Sequence, residues 1–431
     1  MTYLAAIDYL YGLQKHGIKL GLDTMRSLVR AIGNPERQLR VLHIGGTNGK
    51  GSTAAMAAAM LEAAGWQVGL YTSPHLVDFR ERIKVNGRMI DEECLVELVD
   101  MIQNAVPPAS TPTFFEVTTA MAFRYFADVG VDVAVVEVGL GGRFDATNVV
   151  EPMACAITTI GLDHEEYLGR TEEAIAYEKA GIIKSGVPVV MGKIGAGAAR
   201  VIRDVAAQQG APVWSLENDF GVREEEPNRF TYRGPRWTIE GLSCRLVGRH
   251  QWDNAACAIA LLEAAGRSGF SIGEDAIRLG LRTVSWEGRL EMLDGEPPVL
   301  LDGAHNPAAA VALAGYLEQF RATHPDSRVI LVWGMMRDKD RRAFIAPLLP
   351  HAAEIVLTQA SLARSASVKE LRETVTEWPN PVWEEPCPAE ALRLAKRRAA
   401  SRDLVCVTGS LMLLGDIKAS LRGDGPSVLR G

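Results

Sequence analysis

No two cysteines of this chain stand close enough in sequence to suggest a metal knuckle or the frame of a disulfide scaffold. The six (Cys94, Cys155, Cys244, Cys257, Cys387 and Cys406) are scattered without a C-x-x-C pair, which fits reduced thiols in a cytoplasmic protein. No apolar run approaches the roughly 20 residues needed to span a bilayer, so no membrane partner is expected. The opening stretch "MTYLAAIDYL" carries an Asp and lacks a basic region followed by a long apolar core, so no signal peptide is expected. Low-complexity segments and repeats at solenoid periods are also missing. Basic residues are dispersed rather than striped and the net charge is −7, which argues against nucleic acid as the main partner.

What is present is a normal globular composition, 47% hydrophobic and 23% charged, over 431 residues, too many for one ordinary core. Short β-branched runs alternate with helical segments: "RVLHIGG", "QVGLYTS", "VDVAVVEVG", "ACAITTIG" and "VPVVMG". Continuous Val/Ile runs of this kind suit strands buried on both faces, with helices as parallel crossovers. Residues 211–248 change character; turn residues in "EEEPNRFTYRGPRW" predict a small antiparallel excursion. A second α/β series starts at "PVLLDGAHNP" and runs through "RVILVWGMM", "AEIVLTQA" and "LVCVTGS". The expected organisation is a larger domain over 1–290, a linker at 291–297 and a smaller α/β domain over 298–431.

The most informative stretch is "HIGGTNGKGSTAAMAAAM", residues 43–60. An apolar strand through Leu39, Val41, Leu42 and Ile44 leads into a glycine-rich turn ending at Lys50, and an Ala-rich helix follows. Glycines let backbone N–H groups close on phosphate oxygens, the helix start adds a positive field, and the lysine brings a mobile cation. The spacing departs from G-x-x-x-x-G-K-[ST]: Ile44 stands where the first glycine would be, and Gly51 separates Lys50 from Ser52. A bare tight turn is the alternative, and it leaves Lys50 unexplained.

"GGTNGKGS" resembles the nucleotide loop of the Mur ligase superfamily, and specifically that of the folylpolyglutamate synthase/dihydrofolate synthase family. The resemblance runs through nearly the whole chain, in "LYTSPHL", "ERIKVNG", "TFFEVTTAMAF", "VVEVGLGGRFDATNVV", "IGLDHEEYLG", "EKAGIIK", "GRHQWDNAACA", "WEGRLE", "DGAHNP" and "TGSL". It implies a Mur-ligase-like phosphate-loop ATPase domain with a second, smaller α/β domain, and ATP held between the two.

The resemblance assigns the nucleotide to Thr47, Asn48, Gly49, Lys50, Gly51, Ser52, Asn254, Arg289, Asp302 and His305. It assigns Mg²⁺, two ions, to Ser73, Glu137 and His164, with Ser52 a weaker candidate. All three lie at strand C-terminal ends, where ligands collect in open α/β sheets. For Ser73 a turn or cap is the competing reading, and for Asn254 a helix cap. Lys179 falls on one face with Ile175 and Ile182, after a helix start at Thr171. That spacing alone leaves a snorkelling lysine or an ion pair with Glu178 open; the resemblance implies a catalytic, CO₂-derived carbamate. Lys50, Lys179 and His305 form the implied catalytic set. Asp145 is the pterin candidate, and Arg82 and Lys184 could meet carboxylates, although basic residues near loops are more often solvated. A monovalent cation is a further implied cofactor.

The implied reaction is ATP-dependent addition of L-glutamate to a folate or dihydropteroate carboxylate through an acyl phosphate, by a monomer. A Mur-type UDP-muramoyl peptide ligase is the nearest alternative, opposed by "DATN", "EKAGI" and "DGAHNP". A nucleotide-binding regulatory protein without ligase activity is the other, and the intact set Lys50, Ser73, Glu137, His164 and Lys179 opposes it.

Overall fold

The computed structural model describes residues 1–106, 111–226, 228–266, 269 and 271–423. The chain divides into two compact units. The first comprises Met1–His75, Arg80–Arg245 and Arg249–Ser285; the second comprises Leu76–Phe79, Leu246–Gly248 and the chain from Trp286 onward. Residues 424–431 of the expected second domain lie outside the described residues, as does Pro227 of the antiparallel excursion.

The first unit is built on a sheet of β1 (Val41–Gly45), β2 (Val68–Tyr71), β3 (Ile83–Val85), β4 (Arg88–Met89), β5 (Val133–Glu137), β6 (Pro152–Thr159), β7 (Val189–Lys193) and β8 (Val213–Ser215), in the order β4-β3-β2-β5-β1-β6-β7-β8. From β2 to β8 every pairing is parallel, while β3 and β4 add an antiparallel hairpin at one edge. β1 and β5 are buried at every position, as continuous apolar runs predict for strands covered on both faces. The order matters for function: the loops leaving β2, β5, β1 and β6 emerge side by side at the C-terminal edge. The excursion is a three-stranded antiparallel sheet of β9 (Gly221–Glu226), β10 (Arg229–Arg233) and β11 (Thr238–Leu242).

The helix after the glycine-rich turn spans Lys50–Ala63, so it starts at the lysine itself. Its alanines let the helix Glu274–Thr283 approach closely; a Cβ at Gly280 would stand 2.5 Å from the Met60 backbone. No larger residue fits that crossing.

The second unit is a sheet of β12 (Glu291–Leu293), β13 (Val299–Asp302), β14 (Val329–Trp333), β15 (Glu354–Leu357), β16 (Val382–Glu384) and β17 (Leu404–Thr408), in the order β12-β13-β17-β14-β15-β16. Alternate residues feed separate cores: Leu300, Leu331 and Cys406 pack on one face, Leu301, Val332 and Val407 on the other. Two expectations need correction. The first unit ends at Ser285 rather than at 290, and Glu291–Leu293 of the expected linker is a strand paired antiparallel with β13. The Gly and Pro residues read as a linker belong to the tight turn joining those two strands.

Candidate active site

The glycine-rich loop is held in place by the end of β6. Thr47 N donates to Thr159 O at 2.8 Å, and Asn48 N to the Thr159 hydroxyl at 2.9 Å. The Thr158 hydroxyl donates to Asn48 O at 2.6 Å, and the Thr47 hydroxyl lies 3.1 Å from Gly161 N and 3.2 Å from Gly161 O. The glycines follow from this closeness. A Cβ at Gly46, where φ is +141°, would meet the Thr158 hydroxyl at 2.0 Å; one at Gly49, where φ is +86°, would meet Asn254 Oδ1 at 2.3 Å. Lys50 lies in the first turn of its helix, with Nζ 3.1 Å from Thr47 O.

Asn254 is not a cap. Its helix begins at Arg249, and the buried amide donates to Gln251 Oε1 at 2.9 Å while facing Gly49. Glu137, the last residue of β5, is only 4% exposed and its Oε2 accepts from Ser73 N at 3.0 Å. The structure therefore brings the backbone of one metal candidate, Ser73, to the carboxylate of another, because β2 and β5 are neighbours. His164 follows β6 in a left-handed conformation (φ 52°), its Nε2 3.9 Å from Asp163 Oδ1.

Lys179 lies in the last turn of the helix Glu172–Ala180, which the Thr171 hydroxyl caps through Ala174 N; Ile182 lies beyond that helix, and both Ile175 and Ile182 are buried. At 5% exposure Lys179 does not snorkel: its Nζ donates to Gly46 O at 2.9 Å. Nor is it the partner of Glu178, whose carboxylate faces Arg143 at 3.7 Å. Burial pushes the Lys179 amine down to about 7; nearby Lys50 pushes the same way, while Asp163 and Asp145 oppose.

Comparison with known proteins decides what this loop belongs to. Residues 44–262 match the Mur ligase middle domain and residues 288–411 the Mur ligase glutamate ligase domain. The chain is 38% identical over 432 aligned positions to the dihydrofolate synthase/folylpolyglutamate synthase of Bacillus subtilis, covering 98% of this chain and 99% of that one. The chain belongs to the folylpolyglutamate synthase/dihydrofolate synthase family. It is also similar to Escherichia coli FolC solved with DHPP and ADP, at TM-score 0.90 and 32% identity over 98% of both chains. A folylpolyglutamate synthase/dihydrofolate synthase with Mn, AMPPNP and L-glutamate bound matches at TM-score 0.87 and 31% identity, again over 98% of both chains. Membership of the family makes this an ATP-dependent ligase that joins glutamate to folate.

In this family member the candidate donors fit a hard divalent cation: hydroxyl, carboxylate and imidazole. Among the described residues no three His, Cys, Asp or Glu side chains converge on one point. Water and phosphate oxygens would therefore supply much of the coordination shell, as is usual for Mg²⁺.

Two of the acceptor-side candidates, Asp145 and Arg82, turn out to be buried. Asp145, 5% exposed, takes bonds from Leu140 N at 2.8 Å, Thr147 N at 3.0 Å and the Thr147 hydroxyl, so its carboxylate organises its own loop. The Thr147 hydroxyl in turn meets Nε2 of the fully buried His43 at 2.8 Å. Arg82 is 5% exposed rather than solvated. Its Nε donates to His75 Nδ1 at 2.7 Å, which makes that nitrogen an acceptor and leaves the Nε2 proton of a neutral ring for Tyr11 OH, 3.2 Å away. The Arg82 guanidinium also lies 5.1 Å from the Phe114 ring centre. Lys184 is engaged with Asn148 O at 3.0 Å.

Arg289, Asp302 and His305 gather in the second unit. Buried Asp302 accepts from Leu290 N at 2.9 Å and Ala304 N at 3.0 Å, while Arg289 Nη1 would be 2.9 Å from a Cβ at Gly303. Nδ1 of half-buried His305 donates to Gly303 O at 2.9 Å. Lys418 ties this turn down through Glu287 at 2.7 Å and Glu291 at 2.6 Å. Sequence reasoning missed Thr158, Thr159, Gln251, His75 and Lys418. The adjacent threonines closing "ACAITT" beside a glycine-rich loop were the available signal for the first two.

Proposed function

We propose that glutamate ligation proceeds through an acyl phosphate assembled at the C-terminal edge of the first sheet. The direct contact between Ser73 and Glu137, beside the loop of residues 45–52, is the observation that supports this most. Lys50 and the N–H groups opening the Lys50–Ala63 helix bind the nucleotide phosphates, and Asn254 and Gln251 fix the loop from the opposite side. Arg289, Asp302 and His305 carry the remaining nucleotide contacts. Ser73, Glu137 and His164, with Ser52, would hold Mg²⁺, which would neutralise charge on the phosphoryl group in transfer. The amine of Lys179, pushed down to about 7, has the neutral fraction that CO₂ needs to form a carbamate.

On the acceptor side, the loop organised by Asp145 faces the pterin, and the buried Arg82 supplies positive charge for a carboxylate. Folate and dihydropteroate are the acceptors this reading names, with a monovalent cation as an additional cofactor. None of the six cysteines is in a disulfide, which suits a reducing cytoplasm. Among the described residues no helix is long and apolar enough to cross a membrane.

The test is stimulation of ATP hydrolysis. Phosphate release should require both the pterin acid and glutamate, and Lys50→Ala should abolish it with little change in thermal midpoint. Hydrolysis indifferent to either substrate, or a folded Lys50→Ala variant with normal turnover, would contradict this site.

A further inference from the structure

We infer that Thr159 is a positioning residue for nucleotide binding, acting through the backbone of Asn48. The inference rests on the reading of residues 45–52 as the phosphate loop. A glycine-rich loop has many conformations, and ordering it at the moment of binding would weaken affinity. Here the ordering is already done, and it is uneven along the loop. Thr47 N is committed to Thr159 O and Asn48 N to the Thr159 hydroxyl, which also lies 3.1 Å from Asn48 O. These two amides therefore cannot face a phosphate without breaking bonds to β6.

The N–H groups that open the following helix belong to the second half of the loop. The first N–H groups of a helix have no acceptor within it, and this helix starts at Lys50 with Gly49 as its cap. Thr159 thus splits the loop into an anchored half, Thr47 and Asn48, and a phosphate-facing half from Gly49 to Ser52. The anchor also reaches the metal side of the site. Thr47 brackets Gly161 with its hydroxyl, in the segment that leads to His164. Its tether fixes the loop against that segment, so the phosphate loop and the backbone leading to His164 share one group of contacts.

The experiment compares wild type, Thr159→Val, Thr159→Ser and Lys50→Ala, reading the dissociation constants of ADP and AMPPNP by calorimetry. The KM for the pterin acceptor and the thermal midpoint are read alongside. Valine keeps the shape and removes the hydroxyl, leaving both Asn48 backbone groups without that partner. Nucleotide affinity should then fall about tenfold, with the acceptor KM unchanged and nucleotide affinity restored in Thr159→Ser. A threonine that merely supports the fold would lower the midpoint and disturb both substrates alike, and that result would overturn the proposal. So would normal nucleotide binding in Thr159→Val when Lys50→Ala has lost it. Normal binding in Lys50→Ala would instead remove the phosphate-loop reading, and the proposal with it. Should Thr159→Val not fold, Thr47→Val cuts the neighbouring tether and must weaken nucleotide binding in the same selective way; unchanged affinity there overturns the proposal too.

Discussion

Glu137 and Lys179 are the residues on which the proposed chemistry turns, and each has a test of its own. Glu137→Gln keeps an oxygen to accept from Ser73 N, so the fold should survive. The lost charge should lower turnover by about a hundredfold, and excess Mg²⁺ should recover it poorly. An unaltered magnesium titration would return Glu137 to a purely structural role. Lys179 brings a pH signature. Its folded pKa of about 7 lies below the ordinary lysine value of 10.5, so between those values the unfolded chain binds more protons than the folded one. Stability must then rise with pH across that window, and the cost of burying the cation is complete below pH 7. In CO₂-free buffer without magnesium, Lys179→Met should raise the thermal midpoint over wild type most at pH 6 and least near pH 10. A gain independent of pH would contradict a buried, depressed amine. With CO₂ and magnesium present, acetate or formate should restore part of the turnover of Lys179→Ala.

Individual elements show what could be read from the chain and what could not. β1, β5 and β6 were legible because continuous apolar runs report burial on both faces, and the loop after β1 was legible because glycines beside a lysine have few other uses. The strand Glu291–Leu293 was hidden by the turn that follows it: a Gly/Pro-rich stretch looks alike whether it joins domains or two strands. At Asn254 the helix-cap alternative stayed open because helix starts are weak in sequence, and Arg249 opens its helix without an Asp or Ser cap. The buried state of Arg82 is a tertiary fact, created by Tyr11, His75 and Phe114 from three separate segments. Gly280 was passed over for the same reason, since nothing nearby in sequence announces the Lys50–Ala63 helix. Gly280→Ala should lower stability by about 1–3 kcal/mol and reduce nucleotide affinity through the displaced helix. Chemical denaturation together with nucleotide titration checks both; an unchanged unfolding midpoint would show that the crossing is looser than the 2.5 Å approach requires.

For the molecule as a whole, two α/β units divide the assigned groups. The first carries the phosphate loop, the metal candidates, Lys179 and the acceptor candidates; the second carries Arg289, Asp302 and His305. Folding one unit therefore does not assemble the whole assigned set. Product analysis by mass spectrometry tests the central claim most directly, with ATP, Mg²⁺ and L-glutamate present and dihydropteroate or tetrahydrofolate offered separately. The account predicts a product heavier than its acceptor by one glutamyl residue, formed one for one with ADP and phosphate, with at least one of the two acceptors. ATP consumption without a glutamylated product from either acceptor would contradict it.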